Sequence, residues 1–214
     1  HVFAGKRCEI HEEKAMNDNV ALFDMDGSLA DYAGALAQSL NDLRSPGEQK
    51  ITLKNLYTLE KQTHIRNRMR LIKSQPGWWF DLAPIAEGMR ILKLANSVGF
   101  VNHILTKGPK KASNAWKEKV DWCQEHINED IDIHITSDKG LVYGKVLYDD
   151  YPEYLEKWLK HRPRGLGIMP VTPYNRKFRH PNVVLWDGTN IKEIRAALKA
   201  AFKREPGEKL CLPK

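Results

Sequence analysis

Short apolar runs recur along the chain, and each is bounded by polar or turn-forming residues. The first run is Val20–Phe23, which leads directly into two carboxylates and a glycine. Runs of this length flanked by Gly, Pro or Asp are typical of buried strands. The same pattern predicts five further strands, at Phe100–Leu105, Ile131–Ile135, Val142–Tyr148, Gly165–Pro170 and Val183–Trp186.

Between these runs, apolar residues spaced three or four apart predict amphipathic helices. The predicted helices cover Tyr32–Leu43, Pro84–Val98, Ala115–His126, Glu153–His161 and Ile191–Phe202. Because strands and helices alternate along the chain, we predict an α/β fold in which a parallel sheet carries helices on both faces.

The predicted elements divide the chain into a core and an insertion. Residues 20–33 and 81–205 contain the predicted strands and form the core, and residues 34–80 are predicted to form a small helical cap after the first strand. Residues 1–19 are polar and lack periodicity, so we predict a poorly ordered extension and assign it no function. A length of 214 residues suits one domain with such an insertion.

The composition restricts the class of protein. No apolar run approaches the roughly 20 residues that a membrane span needs, and the first residues lack the apolar core of a secretory signal. Three widely spaced cysteines, Cys8, Cys123 and Cys211, indicate neither a disulfide framework nor a zinc site. We therefore expect a cytoplasmic protein without a membrane partner.

The net charge favours anionic partners. Lys and Arg number 34 against 27 Asp and Glu, which gives a formal net charge of +7. Many of these charges fall on predicted helices, at 117–119 and 192–203, where solvated helix faces are the simpler interpretation. The charge alone therefore does not identify a binding surface.

Two pairs of carboxylates follow predicted strands. Asp24 and Asp26 come after Val20–Phe23, and Asp149 and Asp150 follow the run that ends at Tyr148. A simpler interpretation of the first pair is a turn that caps the next helix. Because ligand crevices lie outside the carboxyl ends of parallel strands, two acidic pairs there favour one shared metal site. Four carboxylates suit Mg²⁺, which prefers oxygen ligands.

Cationic and hydroxyl groups at other strand ends predict a phosphate site. Thr106 and Lys107 follow Phe100–Leu105, where a hydroxyl, a lysine and the next glycine can hold a phosphate. An ordinary turn capped by Thr106 is the alternative. Lys139 is best explained as the cation that neutralises both the phosphate and an attacking carboxylate.

An aromatic cluster follows the predicted cap. Trp78 and Trp79 lie behind the Pro76-Gly77 turn. Aromatic clusters are more often core than ligand platforms because their rings bury large areas. Core packing is therefore favoured, and a substrate contact through Trp78 or Trp79 is the second interpretation.

The motifs together resemble the haloacid dehalogenase superfamily of phosphohydrolases. The resemblance rests on Asp24-Met25-Asp26-Gly27-Ser28, Thr106, Lys139 and Asp149-Asp150, in that order. Within the superfamily, the chain is most similar to the 5'(3')-deoxyribonucleotidases. The shared features are the segments Asp24–Tyr32, Phe80–Ile85 and Trp116–Val120 and the ten-residue spacing from Lys139 to Asp149.

The resemblance implies a Rossmann-like core with a cap after the first strand, and a two-step phosphoryl transfer. Asp24 would be the nucleophile that forms an aspartyl phosphate, and Asp26 the general acid and base. Mg²⁺ would be held by Asp24, the backbone carbonyl of Asp26 and Asp150, with Asp149 close by. Thr106 and Lys139 would bind the phosphoryl oxygens.

The chain also departs from the family pattern. Lys107-Gly108 intervene between Thr106 and Pro109, where the family has Ser or Ala and then Pro. Tyr32 stands where a family aromatic residue packs near the base, so it is a candidate substrate contact. Lys145 is a second possible motif lysine, but Lys139 is preferred because its Thr-Ser-Asp-Lys setting and spacing match.

Three functional hypotheses follow from these observations. The first is a Mg²⁺-dependent phosphomonoester hydrolase acting on (deoxy)ribonucleoside monophosphates. The second keeps this chemistry for another substrate, either a sugar phosphate or the end phosphate of a nucleic acid. The third is a non-catalytic nucleic-acid-binding module, which explains the positive charge but leaves both acidic pairs unexplained.

Overall fold

A six-stranded parallel sheet forms the centre of the protein. The computed structural model describes residues 19–110 and 112–212, so residues 1–18 of the extension predicted for 1–19 lie outside the described residues. The strand order is β3-β2-β1-β4-β5-β6, and every neighbouring pair is parallel. The strands are β1 (Val20–Phe23), β2 (Val101–Thr106), β3 (Asp132–Ile135), β4 (Val146–Tyr148), β5 (Leu166–Pro170) and β6 (Val183–Trp186).

Helices form three of the five crossover connections between consecutive strands, whereas the segments from β3 to β4 and from β5 to β6, both within the described part of the chain, contain no α-helix. The α-helices are α1 (Tyr32–Asp42), α2 (Leu56–Leu59), α3 (Thr63–Lys73), α4 (Ala86–Val98), α5 (Asn114–His126), α6 (Pro152–His161) and α7 (Ile191–Lys203). In the described residues no helix is long and apolar enough to cross a membrane.

The two faces of the sheet bury separate hydrophobic clusters. Ala21 and Phe23 of β1 join the larger cluster, to which α4, α5 and α7 contribute. Leu22 points the other way and packs with Leu155 and Trp158 of α6. This alternation follows from the two-residue period of a strand, and it confirms the prediction of helices on both faces.

Helices α1, α2 and α3 form the cap, which has its own hydrophobic cluster. The chain leaves the core after β1 and returns before α4, and two hydrogen bonds join these two segments. Asp31 N donates to Ala83 O (2.8 Å), and Ile85 N donates to Leu29 O (2.7 Å). The predicted fold class, including the inserted cap, is therefore confirmed.

The region before β4 differs from the prediction of a strand at Val142–Tyr148. Lys139–Leu141 form a short 3₁₀ helix, and the strand begins only at Val146. The Asp138 side chain accepts from Gly140 N (3.0 Å) and fixes this turn. The neighbouring strand β1 pairs with β4 from Ala21 onward, opposite Val146, and Lys145 N donates to Val20 O (2.8 Å) directly before this ladder.

Candidate active site

The carboxyl ends of β1 and β4 bring three carboxylates together. Because these strands are neighbours in the sheet, Asp24 lies beside Asp149 and Asp150. Ligand oxygens of the three residues lie within 4.8 Å of one another, and all three residues are buried. Three of the four carboxylates in the two acidic pairs therefore lie together, and the metal site that they were predicted to share stays a prediction.

The turn after β1 allows this close approach. Gly27 adopts a φ of +80°, in the left-handed region that favours glycine, and a Cβ on it would lie 2.6 Å from Asp150 Oδ2. The buried Ser28 Oγ accepts a hydrogen bond from Asp150 N (3.2 Å). The Gly-Ser pair thus joins the end of β1 to the end of β4.

Burial and mutual repulsion raise the pKa values of Asp149 and Asp150. Burial raises the pKa of Asp150 well above its ordinary value, and the neighbouring Asp149 and Asp24 raise it further. Burial also raises the pKa of Asp149, against the lowering effect of Lys139. Buried carboxylates at such spacing need a cation, and an all-oxygen donor set fits Mg²⁺.

Lys139 supplies one positive charge to this cluster. Its ammonium group lies 2.6 Å from Asp24 Oδ1 and 2.6 Å from Asp149 Oδ2. Burial lowers the pKa of Lys139, but the two carboxylates outweigh burial and raise that pKa above its usual range. Lys145 lies instead before β4, at the opposite edge of the sheet, and donates to Arg204 O (3.1 Å). The geometry favours Lys139 over Lys145 as the site lysine.

The Asp26 carboxylate does not join the three clustered carboxylates. Its Oδ2 accepts a 2.6 Å hydrogen bond from Lys119 Nζ, and Asp26 is absent from the metal-compatible group found in the described residues. Lys119 therefore holds the Asp26 carboxylate away from the other three, and a metal contact at Asp26 stays a prediction for its backbone carbonyl. Burial raises the pKa of Asp26, and Lys119 opposes that rise.

Lys119 is a site residue that the sequence analysis missed. It is fully buried, so the interpretation of 117–119 as a solvated face is wrong at this position. Its ammonium also donates to Thr106 Oγ1 (3.0 Å) and to Lys107 O (3.1 Å). The signal was its spacing of four residues from both Ala115 and Cys123, which places Lys119 on the buried face of α5.

Thr106 and Lys107 diverge at the end of β2. Thr106 is buried, with its hydroxyl on Lys119. The Lys107 ammonium donates to Tyr154 Oη (3.2 Å) and lies 5.6 Å from the centroid of that ring. The Thr106 hydroxyl therefore lies on the buried ammonium of Lys119, whereas the Lys107 side chain extends to α6.

Two residues of the loop after β5 also contact Asp150. The Tyr174 hydroxyl donates to Asp150 Oδ2, and the Asn175 amide donates to Asp150 O (2.8 Å). The Tyr174 ring packs edge-on against Tyr57 of the cap, at a centroid distance of 5.0 Å. The sequence analysis assigned neither loop residue a role, although the position of this loop at the carboxyl end of β5 was a usable signal.

The aromatic residues form a packed group beside the site. Tyr32 stacks on Trp79 with ring centroids 5.6 Å apart and contacts Trp78 edge-on at 5.7 Å. Trp79 is 3% exposed, and its Nε1 donates to Lys73 O (2.9 Å). The Trp78 Nε1 donates to Ser39 Oγ (3.2 Å). These contacts support the favoured interpretation of both tryptophans as core.

The Trp79 ring also lies close to Lys119, the buried lysine that holds Asp26. Its centroid is 4.7 Å from Lys119 Nζ, and Glu118 of the same helix accepts from Gly77 N and Trp79 N at 3.0 Å each. Helix α5 thus positions both the aromatic group and the buried lysine. A substitution in the aromatic group would therefore displace Lys119, and a substitution of Lys119 would displace the aromatic group.

The chain matches a protein-family model over most of its length. Residues 18–197 match the family model described as "5' nucleotidase, deoxy (Pyrimidine), cytosolic type C protein". No curated protein sequence gives a significant match.

Two solved structures show the same fold at low identity. A HAD family hydrolase from Deinococcus radiodurans R1 aligns with a TM-score of 0.55 and 16% identity, covering 86% of this chain and 96% of that chain. A haloacid dehalogenase-like hydrolase from Burkholderia xenovorans LB400 aligns with a TM-score of 0.51 and 17% identity, covering 80% of this chain and 93% of that chain. With the family match, they confirm the predicted resemblance.

Proposed function

The chain belongs to the deoxy (pyrimidine) cytosolic type C 5'-nucleotidase family of hydrolases, and from this premise we propose that it hydrolyses (deoxy)ribonucleoside monophosphates with Mg²⁺. The observation that carries the proposal is the buried cluster of Asp24, Asp149 and Asp150 with Lys139 beside it. Three carboxylates and one ammonium group leave a net negative charge, so the site needs a further cation. That cation would in turn attract an anionic substrate.

We assign Mg²⁺ to Asp24, Asp150 and the backbone carbonyl of Asp26, with Asp149 as a nearby carboxylate that Lys139 partly neutralises. Bound Mg²⁺ supplies Lewis-acid stabilisation of the negative charge on the phosphoryl oxygens. The protein holds the carboxylates in place through Ser28 and Asn175, which bind the backbone of Asp150.

The proposed reaction has two steps. A carboxylate oxygen of Asp24 attacks phosphorus, the bond from phosphorus to the ester oxygen breaks, and Asp26 donates its proton to the leaving alkoxide. Asp26 then takes a proton from water, whose oxygen attacks phosphorus. The aspartyl-phosphate bond breaks, which releases inorganic phosphate and restores Asp24.

The half-buried environment suits Asp26 to the acid role. Its raised pKa favours the protonated form that the first step needs, and its bond to Lys119 fixes the carboxyl group. Lys139 and Thr106 would bind phosphoryl oxygens, so that the anionic nucleophile can approach an anionic ester. Lys107 is assigned the outer phosphate contact.

The cap between 34 and 80 is the proposed source of substrate selection. The family description supports deoxyribonucleotides with pyrimidine bases as the first substrates to test. Tyr32 opens the cap beside Trp78 and Trp79 and is the proposed contact for the nucleoside. The same description supports a cytosolic location.

The nucleophile is tested by Asp24→Asn. We expect no detectable phosphate release from dUMP or dTMP, while the circular dichroism spectrum stays that of the wild type, because the amide cannot form the aspartyl phosphate. Asp42→Asn, an exposed change on α1, is the matched control and should keep full activity. Phosphate release by Asp24→Asn at the wild-type rate would refute the assignment.

The substrate class is tested separately with a panel measured with and without Mg²⁺. The panel contains deoxyribonucleotides, ribonucleotides, sugar phosphates and oligonucleotides with a terminal phosphate. We expect the highest kcat/KM for a nucleoside monophosphate and no turnover in EDTA. A higher kcat/KM for a sugar phosphate or an oligonucleotide end would transfer the same chemistry to the second hypothesis. Family membership in a class of hydrolases argues against the third hypothesis, a non-catalytic module.

A further inference from the structure

A basic cavity lies at the amino-terminal edge of the sheet, opposite the carboxylate cluster. It has a volume of about 880 Å³ and is lined by residues that precede β1, β4 and β5 and by the end of α7. This volume falls within the range of about 300–1,000 Å³ that is typical of small-molecule sites. The proposed nucleotidase reaction makes no use of this cavity.

The charge of the cavity is strongly one-sided. Five Lys or Arg residues line it against one carboxylate, that of Glu205. The cations are Lys145, Arg162, Arg164, Lys203 and Arg204. Within residues 19–110 and 112–212, no ion pair engages any of the four residues Arg162, Arg164, Lys203 and Arg204. Cations held together in a concave site raise the local concentration of anions.

Two of the arginines have unused donors. Arg162 Nε and Arg204 Nε are buried and lack a hydrogen-bond partner in the described part of the chain. A buried donor without a partner costs about 1–3 kcal/mol in general, so a rotation of either side chain that brings its Nε to a bound anion would be favourable. Planar guanidinium groups match phosphate oxygens in pairs, which favours phosphate over a simple halide.

Aromatic rings orient one of these arginines. The Arg162 guanidinium lies 5.8 Å from the ring centroid of Tyr143 and 5.9 Å from that of Trp158, and it donates to Gly140 O (3.1 Å). Trp158 is buried, whereas Tyr143 is 53% exposed at the cavity. The exposed Tyr143 ring offers a surface on which a planar base can stack.

We propose that this cavity binds a small ligand with two or more clustered phosphates, and that nucleoside di- and triphosphates are the class it fits best. The cations come from three chain segments, at 145, 162–164 and 203–204, and with Glu205 the lining carries a formal charge of +4, which is more than a single phosphate neutralises. Several linked phosphates carry enough negative charge to match this lining, and the exposed Tyr143 ring can then stack on the base.

The proposal is tested by calorimetric titration of the full chain, residues 1–18 included, with tripolyphosphate and with a nucleoside triphosphate in EDTA. The variant Arg164→Gln/Lys203→Gln removes two exposed cations from the cavity. The matched control, Arg195→Gln/Lys199→Gln, removes the same charge from exposed positions of α7 outside it. Phosphatase activity on a nucleoside monophosphate should be unchanged in both.

We expect one ligand per chain in the wild type, an affinity at least tenfold weaker in the cavity variant, and a change below twofold in the control. A nucleoside triphosphate that binds more tightly than tripolyphosphate would assign a role to Tyr143, and Tyr143→Ala should remove that difference. Equal losses in both variants, or no binding to the wild type, would overturn the proposal. Tighter binding of a single-stranded oligonucleotide or an acidic peptide would also overturn it, because the cavity would then be part of an extended surface.

Discussion

At the scale of single residues, Lys119 and Lys117 show how burial decides the role of a charge. Both lie on α5, two positions apart, yet Lys119 is fully buried and the Lys117 side chain is 79% exposed. Lys117 forms an i,i+4 pair with Asp121, a type of surface contact worth about 0.3–0.5 kcal/mol. Lys119 holds Asp26 and Thr106, both of them groups of the proposed reaction.

We predict that Lys119→Met lowers kcat/KM on a nucleoside monophosphate by about a hundredfold, the scale of losing a positioned acid–base or charge-stabilising group. Without Lys119, Asp26 loses its orientation and its pKa rises further, because Lys119 lowers that pKa in the wild type. Steady-state kinetics on folded protein checks the prediction, and Lys117→Met is the control. Equal activity in the two variants would show that Lys119 does not act on Asp26.

At the scale of elements, helix α4 lies against the turn that carries the site. A Cβ on Gly88 would lie 2.0 Å from the backbone oxygen of Ser28, and Ser28 binds Asp150 N. The helix therefore approaches the turn more closely than any side chain permits. This packing sets the distance between α4 and the end of β1.

We predict that Gly88→Ala lowers the free energy of unfolding by about 1–3 kcal/mol, the usual cost of overpacking. A loss of stability would be informative, because helix propensity alone makes a helix with alanine about 1 kcal/mol more stable than one with glycine. Thermal and urea denaturation measure the change, with Asn96→Ala at an exposed position of α4 as a control that should be neutral or stabilising. A more stable Gly88→Ala protein would contradict the close approach.

A histidine pair joins strand β2 to the edge strand β3. His103 Nδ1 lies 3.0 Å from His134 Nε2, and His103 Nε2 lies 3.3 Å from Asp132 Oδ2. Burial lowers the pKa of His103, His134 acts in the same direction, and Asp132 opposes both. The folded state therefore binds fewer protons than the unfolded state just below the ordinary histidine pKa.

We predict that, as the pH drops below about 6.5, the value of an unperturbed histidine, His103→Gln gains stability relative to the wild type, because the wild type must protonate a histidine whose pKa is lowered in the folded state. The stability contributed by the neutral His103 is present above that pH and lost below it. Urea denaturation between pH 5 and pH 8 measures the slope of the free energy of unfolding against pH. His64→Gln, whose side chain is 55% exposed in the wild type, should keep the wild-type slope. A wild-type slope in His103→Gln would assign the dependence to other groups.

At the scale of the whole molecule, charge is separated between the two edges of the sheet. Carboxylates cluster at the carboxyl ends of β1 and β4, and the cationic cavity lies at the opposite edge. Without a divalent cation the carboxylates at the acidic edge repel one another, and this repulsion contributes to the raised pKa of Asp150. Metal binding at that edge should therefore stabilise the entire fold.

We predict that Mg²⁺ at a hundred times its dissociation constant raises the free energy of unfolding by about 2.7 kcal/mol. For a chain of this length the corresponding rise in Tm is about 5–10 °C. Asp150→Asn should raise the Tm measured in EDTA, because one buried carboxylate is removed, and should abolish the response to Mg²⁺. Asp42→Asn should keep that response, and an undiminished shift in Asp150→Asn would exclude the assigned metal site.

The sequence by itself determined the strand pattern, the order of elements and the positions of the motif residues. These follow from short-range periodicity: apolar runs predict strands, and carboxylates at the ends of parallel strands meet at one edge. For this reason Asp24, Asp149 and Asp150 could be assigned to one site before any coordinates.

Only the tertiary structure decided which charges are buried and where they point. The Asp26 side chain turns to Lys119 across 93 positions of the chain, and Asp150 N reaches Ser28 across 122. Tyr174 and Asn175 contact Asp150 from a loop, and the cations of the basic cavity come from three separate segments. Local periodicity carries no information about such pairs, because they depend on how distant elements pack against one another.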